Sequence, residues 1–440
     1  MSIPRYSPRP WSAPTVPGPV TATVAVPGSK SLTNRELVLA AIADGPATVR
    51  APLHSDDSAR MIHALRALGV GIEPVPGEGR FGDDLRVTPP AHLAGGGTVD
   101  CGQAGTVMRF VTPLTGLAAG DVAVTADASA LHRPMGEMIR ALRQVGVDID
   151  DGGSWALPFT VRGRGRVVGG EVEIDASASS QFVSGLLLAA ARYDVGLRLR
   201  HRGPRLPSIP HIDMTVDALA HRGVHVERPA PGEWIVPPMV PHSKDVTIEP
   251  DLSNAAPFLA AGVLTGGSVT VGGWPAHSTQ PGAQLPELLA AFGAHSVRRH
   301  GALTVTGGDR LTAVELDLSA VGELTPTLVG IALFADGPST FTGIGHIRGH
   351  ETDRIAALVG DIRAVGGEAE ELPDGIRVIP RPLAGGVWRA HHDHRLATTG
   401  ALVGLRVPGV EVDDIGTTAK TMPEFPELWA RMLGRENDAV

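Results

Sequence analysis

Apolar residues recur along the chain in two helical registers. The first is amphipathic: DSARMIHALRALGVGIE, RPMGEMIRALRQVGVDID, HIDMTVDALAHRGVHVE, QLPELLAAFGAHSV and ETDRIAALVGDIRAVGGEAE each pass through glycine into a short strand-like run, and FPELWARMLG ends the series. The closing glycines, Gly69, Gly146, Gly223, Gly293, Gly366 and Gly434, stand 68 to 77 residues apart. Glycine at that place predicts a left-handed helix cap, which no β-carbon obstructs. The second register is apolar on all sides and predicts buried helices: RELVLAAIADG, VMRFVTPLTGLAAG, QFVSGLLLAAARYDVG, AAPFLAAGVLTG, LVGIALFADG and RLATTGALVGLRVPG. Its closing glycines, Gly45, Gly120, Gly196, Gly266, Gly337 and Gly409, are 70 to 76 residues apart.

Two interleaved series of one period define six units, each with a buried helix, a surface helix and several short strands. Six divide naturally into three plus three, so the expected fold is α/β (α+β) with two lobes of three buried helices, each covered by surface helices and sheet. A purely helical solenoid is opposed by the strand-like runs VTIEP, GSVTVGG, LTVTGG and GIRVIP.

The unusual residues gather just before the buried helices. PGSKSLTNR, CGQAGTVMR, SASSQ, PDLSN, GELTP and HHDHR open the six in turn. A helix start offers unpaired N–H groups and about half a positive charge, a natural anion site. Lys30, Arg35, Arg109, Arg395 and Lys420 lie at or near such starts, and Arg133 and Arg354 are expected to begin surface helices. PGSKS lacks the GxxxxGK[ST] spacing of a nucleotide phosphate loop. Carboxylates stand among the cations, Asp393 of DHR with them, and any of them could serve a helix start. Asp56, Asp57 and Asp353 suit a helix first turn, and Glu323 and Glu351, beside the anion site, suit proton transfer.

Composition narrows the ligand. The net charge of -9, the absence of long basic runs and the 4% aromatic content give neither a phosphate-tracking groove nor a base-stacking platform, so nucleic acid is not expected. An anion must be held by local cations instead. No apolar run approaches the roughly 20 residues of a membrane span, and the Pro-rich start has no leader-like apolar core; the expected location is cytoplasmic. The single cysteine, Cys101, forms no intrachain disulfide. His391, His392 and His394 lack the i, i+4 pairing of helical metal ligands, and no metal is expected.

PGSKSLTNR (27–35), QAGT (103–106), SASSQ (177–181), HETDR (350–354), DHR (393–395) and TAKTMPEF (418–425), in this order and over essentially the whole chain, resemble the 5-enolpyruvylshikimate-3-phosphate synthase family. The resemblance implies two lobes of three βαβαββ-type units, with chain crossovers near Pro27–Ser29 and Ile248–Asp251: residues 1–27 plus 249–440 in one lobe, 28–248 in the other, and the active site in the cleft between them. It implies transfer of the enolpyruvyl group of phosphoenolpyruvate to the 5-hydroxyl of shikimate 3-phosphate, by addition and elimination through a tetrahedral intermediate. No metal or organic cofactor is implied, and the only partners are the two small substrates, acted on by a monomer. Carried over by position, Lys30, Ser31, Arg35, Ser179, Ser180, Gln181, Ser208, Glu323 and His350 would bind shikimate 3-phosphate. Lys30, Gly105, Thr106, Arg133, Gln181, Arg354, Arg395 and Lys420 would bind phosphoenolpyruvate. Glu323 would take the 5-hydroxyl proton, and Glu351 with Lys30 would serve the methylene proton.

The chain departs from the family's usual pattern in places. Glu323 stands for Asp, His350 for Lys, His346 and Gln103 for Asn, and Phe110 for Pro. The UDP-N-acetylglucosamine enolpyruvyl transferases, similar in fold and chemistry, use a mobile-loop cysteine, and Cys101 invites that comparison. A non-catalytic repeat scaffold is the alternative of another class; it would put its distinctive residues on outer loops of every unit.

Overall fold

The computed structural model describes residues 10–435. Thirteen helices are described: α1 Lys30–Ala41, α2 Asp56–Ala67, α3 Gly105–Phe110, α4 Thr112–Thr115, α5 Gly136–Gln144, α6 Gln181–Ala190, α7 Ile209–His221, α8 Ala256–Thr265, α9 Leu285–Ala291, α10 Thr325–Ala332, α11 Arg354–Ala364, α12 His394–Gly404 and α13 Phe425–Met432. Helices α1, α3 with α4, α6, α8, α10 and α12 are the apolar series. In α6, α8 and α10 nearly every residue is buried, as their all-round apolar sequence requires. The second helix of the series breaks at Val111, just before Pro113, which removes a backbone donor.

The six amphipathic helices alternate with these, and all six closing glycines have φ between 70° and 95°. In the buried series Gly120, Gly196, Gly266 and Gly409 are left-handed, but Gly45 and Gly337 are not. Both follow an aspartate, and that carboxylate fixes the exit. Asp44 accepts the Ser243 N–H at 2.6 Å, and Asp336 accepts the Ala313 N–H at 2.9 Å.

By its own contacts the chain forms two compact units, Pro27–Glu249 and Met1–Val26 with Pro250–Val440. Each contains three sheets and three buried helices that touch one another pairwise. The sheet of the second repeat shows the common plan. Thr98–Asp100 pairs parallel with Ala119–Thr125 across α3, and Phe159–Arg164 and Asp148–Asp150 follow antiparallel.

Two sheets get their parallel strand from elsewhere in the chain. Thr21–Val24 runs directly into α1, yet it pairs with Ser268–Gly272, which follows α8. Val246–Thr247 precedes α8, yet it pairs with Ala47–Arg50, which follows α1. Among the described residues no strand follows α13 in the sixth repeat, and the antiparallel strand of its sheet is Trp11–Ser12 from the N-terminal segment.

No described helix is long and apolar enough to cross a membrane. Within Pro27–Glu249 the core includes a buried ion pair, Arg222 to Glu36 Oε2 at 2.8 and 2.9 Å, tying the end of α7 to α1.

Candidate active site

In the unit Pro27–Glu249, side chains at the heads of the buried helices converge. Ser29 caps α1, accepting the Leu32 N–H, and a β-carbon on Gly28 would lie 2.3 Å from the Ala51 carbonyl, so only glycine permits this entry into the helix. Lys30 follows at once. Its ammonium is 3.2 Å from Asp57, in the first turn of α2, whose Ser55 and Ser58 form a reciprocal cap. Asn34 donates to the Thr106 hydroxyl at 2.7 Å, joining the heads of α1 and α3.

Gly105 opens α3. A β-carbon there would meet Arg109 Nη1 at 3.0 Å, Gln181 Oε1 at 3.3 Å and Arg133 Nη1 at 3.4 Å, so two cations and an amide border the bare helix start. Arg133 also donates to the Gln103 carbonyl at 2.9 Å. It comes from the turn before α5 and does not begin that helix as the sequence suggests, for the helix starts three residues later at Gly136. Ser179 Oγ accepts the N–H of Gln181, the first residue of α6, and Ser180 is buried beside it. Ser208 holds a left-handed conformation, φ 53° and ψ 44°, immediately before α7.

Arg35 is a buried brace. Its donors go to Thr215 Oγ1, the carbonyls of Ser31 and His211, and Ser184 Oγ, so it links α1, α6 and α7. Its guanidinium lies 4.9 Å from the ring centroid of Phe110, the residue that departs from the family's proline. Burial lowers Arg35 to about 9, partly offset by Glu36, and leaves it charged at neutral pH.

In the other unit the carboxylates meet the remaining cations. Arg354, the first residue of α11, donates through Nε and Nη2 to Asp393 at 2.7 and 3.2 Å, and through Nη2 to Glu351 at 2.8 Å. Lys420 approaches the other oxygen of Glu351 at 3.7 Å. Burial opposes the charge on Arg354, but Asp393 and Glu351 outweigh it and hold the group above its ordinary range. Lys420 comes from the end of a 3-10 turn, Ile415–Lys420, not from a buried helix start. Arg395 donates to the Ser253 carbonyl at 2.9 Å; burial lowers it, against the pull of Asp251 and Glu323. Asp353 and Asp393 cap α11 and α12.

Glu323 lies in the turn Gly322–Leu324 leading into α10 and accepts from Ser253 Oγ at 3.3 Å. The missing side chain of Gly322 makes room for His346, since a β-carbon there would be 2.6 Å from its Nε2. The His346 ring meets the His350 ring edge-on at 5.7 Å. Arg354 Nη1 is 3.1 Å from His350 Nδ1. A guanidinium N–H can only donate, so Nδ1 accepts and the ring proton belongs on Nε2. Burial first, then the charge of Arg354, keeps His350 well below the ordinary histidine range. Where a lysine would bring charge, His350 brings a neutral N–H donor.

Cys101 is fully buried, and burial pushes its thiol up to about 12, so it is no candidate nucleophile. Among the described residues no cluster of three or more His, Cys, Asp or Glu is arranged to hold a metal ion. The sequence reading left Asn34 and Ser253 without roles and saw in Asp393 only a carboxylate among the cations. Their one signal was a place inside the motifs at the helix heads.

Six helix-and-sheet units, two sets of cations at helix heads and a carboxylate pair beside one set define an enolpyruvyl transferase fold. Solved structures agree. An EPSP synthase from Acinetobacter baumannii matches with a TM-score of 0.78 at 25% identity, over 96% of this chain and 97% of that one. The enolpyruvyl transferase NikO from Streptomyces tendae matches in fold with a TM-score of 0.73 at 18% identity, over 95% and 96%. A protein of Kocuria rhizophila named 3-phosphoshikimate 1-carboxyvinyltransferase is 53% identical over 431 residues, 97% of each chain. The family description EPSP synthase (3-phosphoshikimate 1-carboxyvinyltransferase) fits residues 14–429, and the chain belongs to that family of transferases.

Proposed function

We propose that this enzyme transfers the 1-carboxyvinyl group of phosphoenolpyruvate to the 5-hydroxyl of shikimate 3-phosphate and releases phosphate, a step of the shikimate pathway to aromatic amino acids. The observation that carries the reading beyond family membership is Glu351, held between Arg354 and Lys420. A proton donor is needed where an anionic substrate meets cations, and these three residues bring both together.

Neither unit has a full set of groups by itself. Pro27–Glu249 offers Lys30, Gly105, Thr106, Arg133 and Gln181 toward phosphoenolpyruvate, and Lys30, Ser31, Ser179, Ser180, Gln181 and Ser208 toward shikimate 3-phosphate. Arg35 adds its charge and holds the Ser31 carbonyl. The other unit offers Arg354, Arg395 and Lys420 toward phosphoenolpyruvate, and Glu323 and His350 toward the shikimate ring. Glu323 takes the 5-hydroxyl proton as that oxygen attacks C2 of phosphoenolpyruvate. Glu351, with Lys30, gives a proton to C3 and removes one when the tetrahedral intermediate expels phosphate, and the proton that Glu323 took leaves with the phosphate, so the proton count closes. The same reading makes the two units lobes of one site and the enzyme a cytoplasmic monomer.

Purified protein given phosphoenolpyruvate is expected to release phosphate with shikimate 3-phosphate and not with UDP-N-acetylglucosamine. Release with the sugar nucleotide alone would overturn the assignment. Cys101→Ser is expected to keep kcat within about twofold, because a buried thiol is not ionised at neutral pH; abolished turnover would point to the sugar-nucleotide enzyme instead.

A further inference from the structure

The turn Arg389–His392 leads into α12 and ends on Asp393, the partner of Arg354. His391 (φ 50°) and His392 (φ 56°) are the one adjacent pair of left-handed non-glycine residues among those described. A β-carbon in that conformation crowds the following carbonyl, and such strain persists only where the surroundings over-determine it. Three ties do so. The Ala390 N–H donates to Asp413 at 2.7 Å, the Asp393 N–H donates back to the Ala390 carbonyl at 2.8 Å, and the Arg389 N–H donates to Asp361 Oδ1 at 3.2 Å.

Asp361 belongs to α11, seven residues beyond Arg354 and so on the same face two turns along. It is 2% exposed. Its second oxygen lies 3.3 Å from His391 Nε2, off the line of a hydrogen bond, and has no hydrogen-bond partner among the described residues. A buried carboxylate oxygen is thus matched only by the imidazole of a strained residue. Burial raises the Asp361 carboxyl to about 6, with His391 pulling it down and Asp413, at the end of strand Val410–Val412, pushing it up. Those two side chains and the Arg389 N–H are the groups that face it.

One face of α11 therefore grips the turn twice, at Asp361 and at Arg354. We propose that Asp361, acting through His391, is a positioning residue that pins the left-handed turn so that Asp393 meets Arg354 in the geometry that receives phosphoenolpyruvate. The proposal rests on the reading of Arg354 as an anion receptor. A merely structural Asp361 would satisfy the Arg389 N–H and nothing more; removing it would lower stability and leave substrate affinity alone.

His391→Gly tests this without backbone strain, because glycine takes φ near 50° freely. The KM for phosphoenolpyruvate is expected to rise about tenfold or more, with a smaller change in kcat, since a displacement near 1 Å at a binding group can cost up to about a hundredfold. His391→Gln, whose amide nitrogen reaches the place of Nε2, is expected to recover part of the loss. Asp361→Asn should raise the KM and also raise the thermal midpoint at pH 7. The sign follows from the raised carboxyl: the folded state holds its proton more tightly than the unfolded chain, so the ionised group destabilises the fold above about pH 6. The gain in the Asn variant should shrink as pH falls from about 6 and vanish below about 4, where the unfolded chain's carboxyl takes up its proton as well. Wild-type KM in both His391→Gly and Asp361→Asn would overturn the proposal. Arg354→Lys, run in parallel, reads the underlying assignment: unchanged KM there would sink the receptor role itself, whereas a raised KM there with wild-type values in the other two would sink the positioning role alone.

Discussion

Glu351→Gln is expected to lower turnover by two to four orders of magnitude while the protein stays folded, and Lys30→Met by a comparable factor, because a positioned acid or base contributes about 10²–10⁴-fold. Glutamine keeps the shape of Glu351 and can still accept from Arg354 and face Lys420. What it cannot do is ionise. The stability of the cluster changes little, since Asp393 still neutralises Arg354 through two bonds. In Lys30→Met the loss falls on Asp57, which keeps its place in the first turn of α2, where the helix start favours a negative charge. Phosphate release at saturating concentrations of both substrates, with far-UV circular dichroism as the folding check, measures the effect. Near-normal rates in both variants would remove these residues from proton transfer.

Much of the fold was legible because two helical periods of the same length cannot coexist by accident. The all-round apolar segments became buried helices, and the six glycines ending the amphipathic ones all took the left-handed cap. The exchange of first strands was hidden. Thr21–Val24 and Val246–Thr247 look like any strand before a buried helix, and their pairing with each other's repeat depends on tertiary contacts that no local period encodes. Trp11–Ser12 was hidden for the same reason: a Pro-rich terminal segment gives little strand signal, yet the open edge left by the sixth repeat accepts it.

The placement of the candidate residues was legible where they stand at a helix start. Lys30, Gly105, Gln181, Arg354 and Arg395 all stand within the first two residues of a helix, and Glu323 lies in the turn just before one. Arg133 and Lys420 come from turns, where periodicity says nothing about direction. Asp393 was read only as a carboxylate among the cations. As an N-cap it is unremarkable in sequence, and its second task, holding Arg354 across 39 residues, needs the fold to be seen.

That double task gives Asp393 the largest expected effect on stability. Asp393→Ala removes the cap on α12 and leaves Arg354 buried with Glu351 and His350 as the side chains hydrogen-bonded to it among the described residues. Breaking a buried pair from one side costs about 3–5 kcal/mol, and the lost cap adds about 1 kcal/mol. Asp393→Asn separates the two contributions. The amide oxygen can keep accepting the Arg395 N–H at the helix start, so the cap is retained, but its NH₂ group faces the guanidinium and the charge is gone. The Asn variant is therefore expected to lose about 1 kcal/mol less than Ala in denaturant unfolding, while sharing its raised KM for phosphoenolpyruvate, since affinity depends on how Arg354 is oriented and stability depends on both tasks. Equal losses in the two variants would mean that the cap contributes nothing. Wild-type KM in the Asn variant would mean that Arg354 is oriented by Glu351 and His350 without Asp393.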